Sequence, residues 1–242
     1  MTVPDRALGL RLAVAAALAI VLLVPVSLIA VLVVGNWPPL HAIDLAVTDA
    51  LHGFAVGHVV WVRAMAIWSY LCDPNVMRVA ALALAVWLWR SKDAPRLAWW
   101  VVVTMTVGGV LAALVKLLVG RHRPELLEPV ARAAGYSFPS GHALNTALAA
   151  GVFLLVLLPF VNDRRRLRVL LWTMVILIPL ITGICRVGLG VHWTSDVVAG
   201  WLMGIGVVAA TAAGFAAWRE RSGRRPVKVT DEGVEPEIAQ RA

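Results

Sequence analysis

The sequence predicts an all-α fold, a polytopic membrane bundle with six transmembrane helices. Three observations carry this. Of 242 residues, 60% are hydrophobic and only 15% charged, against roughly 45–50% and about 25% in soluble domains. Six apolar runs stand out: Leu12–Val34, Ser69–Trp89, Leu97–Val115, Ala143–Val161, Val169–Cys185 and Val197–Trp218. A bilayer-spanning helix needs roughly 17–25 such residues. Basic residues gather between alternate runs, as orientation signals do.

The elements follow in order. Arg6 and Arg11 precede the first run. It is longer than the roughly 7–15 residue core of a signal peptide, so it reads as a retained helix. Residues 35–68 then form an outer loop containing an amphipathic helix. Ile43, Val47, Leu51 and Phe54 recur at helical spacing, with Asp44, Thr48 and His52 on another face. This pattern fits a helix on the membrane surface, packed over the bundle as ordinary structure in preference to a functional lid. The second run is the weakest, because Asp73, Pro74 and Arg78 interrupt it; its span starts late or tilts. The other four are clean. Residues 219–242 are charged, contain two prolines and lack apolar periodicity, which predicts a disordered tail. The membrane domain is therefore 1–218.

The net charge of +8 could suggest nucleic acid, but its placement excludes that reading. Arg6, Arg11, Arg90, Lys92, Arg96, Arg164, Arg165, Arg166, Arg168, Arg219, Arg221, Arg224, Arg225, Lys228 and Arg241 make 15 of the 22 basic residues. With six spans, all of them fall on one side, which the positive-inside rule makes cytoplasmic together with both termini. Arg63, Arg78, Lys116, Arg121, Arg123, Arg132 and Arg186 fall on the outer half, against that rule, and some of them should have a task. Cys72 and Cys185 are far apart and give neither a disulfide framework nor metal-ligand spacing. No internal repeat is visible.

Three polar groups interrupt the second half: Lys116 with Arg123 and Pro124, then Pro139 to His142, then Arg186 with His192 and Asp196. Helix parity places all three on the outer face. Cations gathered without matching carboxylates favour an anion, and intramembrane charges are usually functional. Arginine offers a planar fork suited to phosphate oxygens. Ser140 and Gly141 open a helix, where free N–H groups and a close backbone suit a phosphate. His192 and Asp196, four apart, share a helical face; the carboxylate would fix the imidazole tautomer and leave the other nitrogen free to attack. His142 has no carboxylate neighbour in sequence and is placed to act as an acid on a leaving oxygen. Each feature alone has an ordinary reading as snorkelling anchor, turn and cap, or local pair. Their meeting on one face favours a site.

At these residues the chain resembles the type 2 phosphatidic acid phosphatase (PAP2) superfamily, which includes soluble vanadium haloperoxidases. The signature's first part, Lys, six residues, Arg-Pro, matches Lys116 to Pro124. Pro-Ser-Gly-His matches Pro139 to His142. The third part, Ser-Arg, five residues, His, three residues, Asp, matches from Arg186 through His192 to Asp196, with Cys185 in place of the serine. The resemblance implies a PAP2/haloperoxidase-like core and an integral plasma-membrane lipid phosphatase, with its active site on the extracytoplasmic face. It implies His192 as nucleophile forming a phosphohistidine, Asp196 orienting it, and His142 as acid and then base. Lys116, Arg123, Ser140, Gly141 and Arg186 would hold the phosphate oxygens, with no metal or cofactor implied. The partners would be the bilayer and a lipid phosphate: a polyprenyl diphosphate, phosphatidate or phosphatidylglycerophosphate. Membrane spans argue against a haloperoxidase role. A thiol is a poor donor, which puts a hydroxyl contact at Cys185 in doubt, and no base adjoins it in sequence to make it a nucleophile. The alternative is a protein that binds or transports an anionic lipid without cleaving it. Transporters often show inverted repeats, and the His192–Asp196–His142 set exceeds what binding requires.

Overall fold

The computed structural model describes residues 3–126, 130–131 and 133–221. Eight helices occur among them: α1 (Val3–Val34), α2 (Pro38–Val56), α3 (Val59–Leu71), α4 (Pro74–Lys92), α5 (Pro95–Val119), α6 (Gly141–Val161), α7 (Arg165–Gly188) and α8 (Thr194–Arg221). Local chemistry sets several boundaries. Prolines open α2, α4 and α5, at the position where a missing N–H costs nothing. The Asp73 side chain caps α4 by accepting the Asn75 N–H at 2.8 Å. Gly120, at φ 61°, ends α5 in the left-handed conformation that glycine adopts without penalty.

Among the described residues, α5, α6, α7 and α8 are each long and apolar enough to cross a bilayer unaided. Two bent pairs supply up to two more spans: Ile20–Val34 with α2, at 95°, and α3 with α4, at 40°. The second apolar run is thus broken rather than merely tilted. It begins near the end of α3, crosses the Cys72–Asp73 break and continues as α4. The supposed outer loop 35–68 is nearly all helix, comprising α2 and most of α3. α8 runs through Arg221, so the predicted tail begins no earlier than residue 222; residues 222–242, like Arg132, lie outside the described residues.

The core lies where α1, α4, α5, α6 and α8 meet. Leu88, Leu97, Val101, Leu144, Leu148, Val152 and Val156 are at most 1% exposed there. Outward faces are apolar too: Val31, Val79, Leu117, Leu118 and Ile176 are all exposed, as lipid contact permits. Exposed tryptophans sit toward both ends, Trp37 and Trp61 at one, Trp89, Trp99 and Trp218 at the other, where amphipathic rings favour a membrane–water boundary. The chain is a multi-pass membrane protein.

One contact positions the site. A Cβ added at Gly200 would lie 2.8 Å from the Ser140 carbonyl oxygen and 3.0 Å from Ala143 Cβ. At Gly204 it would lie 2.8 Å from the Leu144 carbonyl oxygen. This small-xxx-small spacing lets the α8 backbone press against the first turns of α6. It fixes the second polar group of the sequence against the third.

Candidate active site

The three polar groups meet at one end of the bundle. The last turn of α5 brings Lys116, the loop after it brings Arg123, the start of α6 brings Ser140, Gly141 and His142, the last turn of α7 brings Arg186, and the α7–α8 turn with the first turn of α8 brings His192 and Asp196. His192 and Asp196 are 2% and 0% exposed, and Arg186 is buried.

His192 is held from both sides. Its Nδ1 faces Asp196 Oδ2 at 3.4 Å, and its Nε2 faces Arg123 Nη1 at 3.2 Å. The Asp196 contact assigns the ring proton to Nδ1, so the unprotonated Nε2 accepts from the Arg123 N–H. Burial pushes the imidazole down to about 3; Asp196 opposes this, while Arg186 and Arg123 reinforce it. At neutral pH the ring is therefore unprotonated. Asp196 Oδ2 also accepts the Trp193 N–H at 3.0 Å, so the carboxylate fixes the turn as well as the ring.

The cations surround this ring. Arg123 is spread over the loop: its guanidinium donates to the carbonyls of Gly135 and Ala134 at 3.0 Å, Val191 at 2.6 Å and Tyr136 at 3.3 Å. Lys116 Nζ donates to the Tyr136 carbonyl at 2.8 Å and interacts electrostatically with Arg123 and Arg186. Arg186 Nε is buried with no hydrogen-bond partner. Ser140 occupies the N-cap position of α6 yet makes no capping bond; its hydroxyl is fully buried and unpartnered. An orphaned hydroxyl and an orphaned guanidinium N–H, both buried, are costly unless a ligand accepts from them. An oxyanion meets that demand. The Ser140 N–H is already used, donating to the Asp196 carbonyl at 2.9 Å, which ties the α6 mouth directly to the α8 start.

His142 gains a partner that sequence proximity could not show. Asp73, the α4 cap, places Oδ2 3.8 Å from His142 Nε2. Cys185 packs among Ala55, Met65, Leu189 and Val191. Adjacent helical residues do not face each other, so its thiol lies apart from the Arg186 side.

α2 adds a carboxylate that no motif contains. Asp44, Thr48 and His52 are buried, while Ile43 and Phe54 are more than half exposed. The polar face points into the protein, not into water. Asp44 accepts the Ser195 N–H at 2.8 Å and the Ser195 hydroxyl at 2.6 Å, and pairs with Arg121 Nη2 at 2.7 Å. Arg121 Nη1 donates to Ser195 Oγ and Asp196 Oδ1, each at 2.7 Å. Two signals were available: the i, i+4 polar spacing on α2, and Arg121 as an outer arginine without an orienting role.

Fold and site together define a class: a membrane-embedded helical bundle with a buried histidine–aspartate pair ringed by cations. Residues 97–220, just over half of the chain, match the PAP2 superfamily, and the chain belongs to it. Among its relatives, phosphatidylglycerophosphatase B of Bacillus subtilis is 33% identical over 99 residues, covering 40% of this chain and 47% of that protein. An undecaprenyl-diphosphatase of Sulfolobus acidocaldarius is 33% identical over 110 residues, covering 43% and 48%. The chain thus spans about half the length of the curated relatives it matches. The crystal structure of a transmembrane PAP2-type phosphatidylglycerolphosphate phosphatase from Bacillus subtilis shares the fold, with a TM-score of 0.64 at 22% identity, covering 84% of this chain and 96% of that one.

Proposed function

We propose that the chain hydrolyses a phosphomonoester or diphosphate of a membrane lipid through a phosphohistidine, at the extracytoplasmic face of the plasma membrane. One observation carries this most directly. A buried, unprotonated His192 stands between Asp196 and Arg123, beside the unpartnered donors of Ser140 and Arg186. The names of the two curated relatives, a phosphatidylglycerophosphatase and an undecaprenyl-diphosphatase, support the same chemistry.

The steps follow from the geometry. The His192 Nε2 lone pair attacks phosphorus, and the bond from phosphorus to the leaving oxygen breaks. Asp196 holds the Nδ1 proton and balances the charge that the ring acquires. His142 gives a proton to the leaving lipid alkoxide or phosphate, then accepts one from the water that attacks the phosphohistidine. That second attack releases inorganic phosphate and restores the His192 lone pair. Lys116, Arg123, Arg186, the Ser140 hydroxyl and the Gly141 backbone hold the non-bridging oxygens, where phosphoryl transfer most needs fixed positive charge. A cavity of about 710 Å³ opens beside Arg123, lined by the apolar Leu32, Val33, Leu40 and Leu45 and by polar residues that include His122 and Glu125. An apolar wall next to a cationic pocket suits a phosphate carried on a lipid tail.

The test is a phosphate-release panel with purified protein in detergent, covering polyprenyl diphosphate, phosphatidate and phosphatidylglycerophosphate. At least one should be turned over, His192→Ala should abolish release, and EDTA should leave the rate unchanged. Lipid binding without release by the wild type would sink the enzyme reading. Full activity in His192→Ala would sink the histidine mechanism, and strong EDTA inhibition would show a metal requirement that the cationic pocket does not supply.

A further inference from the structure

We infer that Asp44, on α2 and outside every motif residue, is a positioning residue that sets the charge on the nucleophile pair. The inference rests on the phosphohistidine reading of His192.

The argument is one of charge balance. Asp196 is fully buried and must offset the positive charge that His192 acquires when its Nε2 bonds phosphorus. Yet Asp196 already carries a cation: Arg121 Nη1 lies 2.7 Å from its Oδ1. Arg121 and Asp196 alone would sum to zero and leave the new imidazolium unbalanced in a low-dielectric site, where charge is costly. Asp44 alters this. It is 1% exposed and binds the other arm of the same guanidinium, Arg121 Nη2, at 2.7 Å. The cluster Asp44–Arg121–Asp196 then has one net negative charge, and formation of the phosphohistidine brings it to neutrality. The phosphate supplies the counter-charge for Lys116, Arg123 and Arg186.

Asp44 also fixes geometry. Its Oδ1 accepts the Ser195 N–H at 2.8 Å, so a carboxylate from α2 caps the first turn of α8, one residue before Asp196. Its Oδ2 accepts the Ser195 hydroxyl at 2.6 Å, and that hydroxyl accepts from Arg121 Nη1 at 2.7 Å. Arg121 alone donates to both carboxylates, and both Ser195 donors go to Asp44. Burial of Asp44, which an ordinary surface helix would turn to water, has its cause here.

The test separates charge from scaffolding. Asp44→Asn keeps the shape but removes the charge. Its kcat should fall about ten- to hundredfold, the rate equivalent of one charge-assisted hydrogen bond. KM, and competitive inhibition by inorganic phosphate, should change by less than about threefold, because the phosphate donors are untouched. Arg121→Gln alone leaves two unneutralised carboxylates beside His192 and should hold the ring protonated, lowering kcat. The double variant Asp44→Asn/Arg121→Gln restores one net negative charge and should be faster than either single variant. A merely structural network predicts that kcat follows the melting temperature across the three variants, with no recovery in the double variant beyond its recovery of stability. That result, or wild-type kcat in Asp44→Asn, overturns the inference. If Asp44→Asn does not fold, Arg121→Lys decides the same point: it keeps the charge but loses the fork, and its kcat should stay well above that of Arg121→Gln, whereas a structural network predicts equal loss in both. Because every rate is read against an active wild type whose His192→Ala variant is dead, failure here leaves the parent reading standing.

Discussion

Replacing Gly200 with alanine should damage the site from a position that touches no substrate. The added Cβ would sit 2.8 Å from the Ser140 carbonyl oxygen, 3.0 Å from Ala143 Cβ and 3.2 Å from the Leu144 nitrogen, against an ordinary contact of 3.4 Å or more. Two of these three neighbours are backbone and cannot rotate away, so α6 and α8 must part by about 0.6 Å. Such overpacking costs roughly 1–3 kcal/mol. The displacement falls on the joint between Ser140 and Asp196, which share a 2.9 Å backbone hydrogen bond. A misplacement of about 1 Å costs on the order of a hundredfold in rate, so a shift of this size should cost about tenfold in kcat. Thermal unfolding in detergent and initial rates of phosphate release measure the two effects. Gly214→Ala is the control: it lies on the same helix, its Cβ would meet nothing within 4 Å, and it should keep full activity. Wild-type kcat and melting temperature in Gly200→Ala would refute the claim that this close approach registers the α6 mouth against His192 and Asp196.

Two further outcomes are expected. Side-chain nitrogen NMR of the detergent-solubilised protein should show His192 neutral down to about pH 5, because burial holds its folded pKa near 3, well below the ordinary histidine value of 6.5. Between those two values only the unfolded chain takes the proton, so this histidine lowers stability as pH falls through that window; a titration midpoint near 6.5 would contradict the buried, unprotonated nucleophile. For sidedness, Val130→Cys should react with an impermeant thiol reagent on intact cells while Arg165→Cys does not, and the native Cys72 and Cys185, both buried, should stay silent. Labelling in the reverse pattern would place the site on the cytoplasmic face.

The spans were legible because a bilayer imposes one strong rule, about twenty apolar residues per crossing. Runs three to six each lie within one helix, α5 to α8, for that reason. The rule failed where polar residues entered. Asp73 and Pro74 looked like interruptions of a span. They are the cap and first residue of α4, a start signal that hydropathy treats as noise. Gly200 and Gly204 were invisible as contacts, since their spacing reads only as helix until a partner helix is known.

The site shows the same division. Motif spacing and helix parity, which need only the chain, pick out Lys116, Arg123, Ser140, Gly141, His142, Arg186, His192 and Asp196, and the fold brings them to one end of the bundle. Asp73 beside His142, and Asp44 with Arg121 and Ser195 beside Asp196, join residues as far apart as Asp44 and Ser195, and no local pattern reports such a pairing. The signal on α2 was nevertheless present. Asp44, Thr48 and His52 form one face, and in water a polar face is read as the outside. In a bilayer the outer surface of a bundle is apolar, so Ile43 and Phe54 can face outward while the carboxylate turns inward to meet buried cations. The polar stripe of an amphipathic segment beside a charged membrane site is therefore the stripe to search for partners, and the seven basic residues outside the orienting clusters are where those partners should be sought. Arg121 was among them.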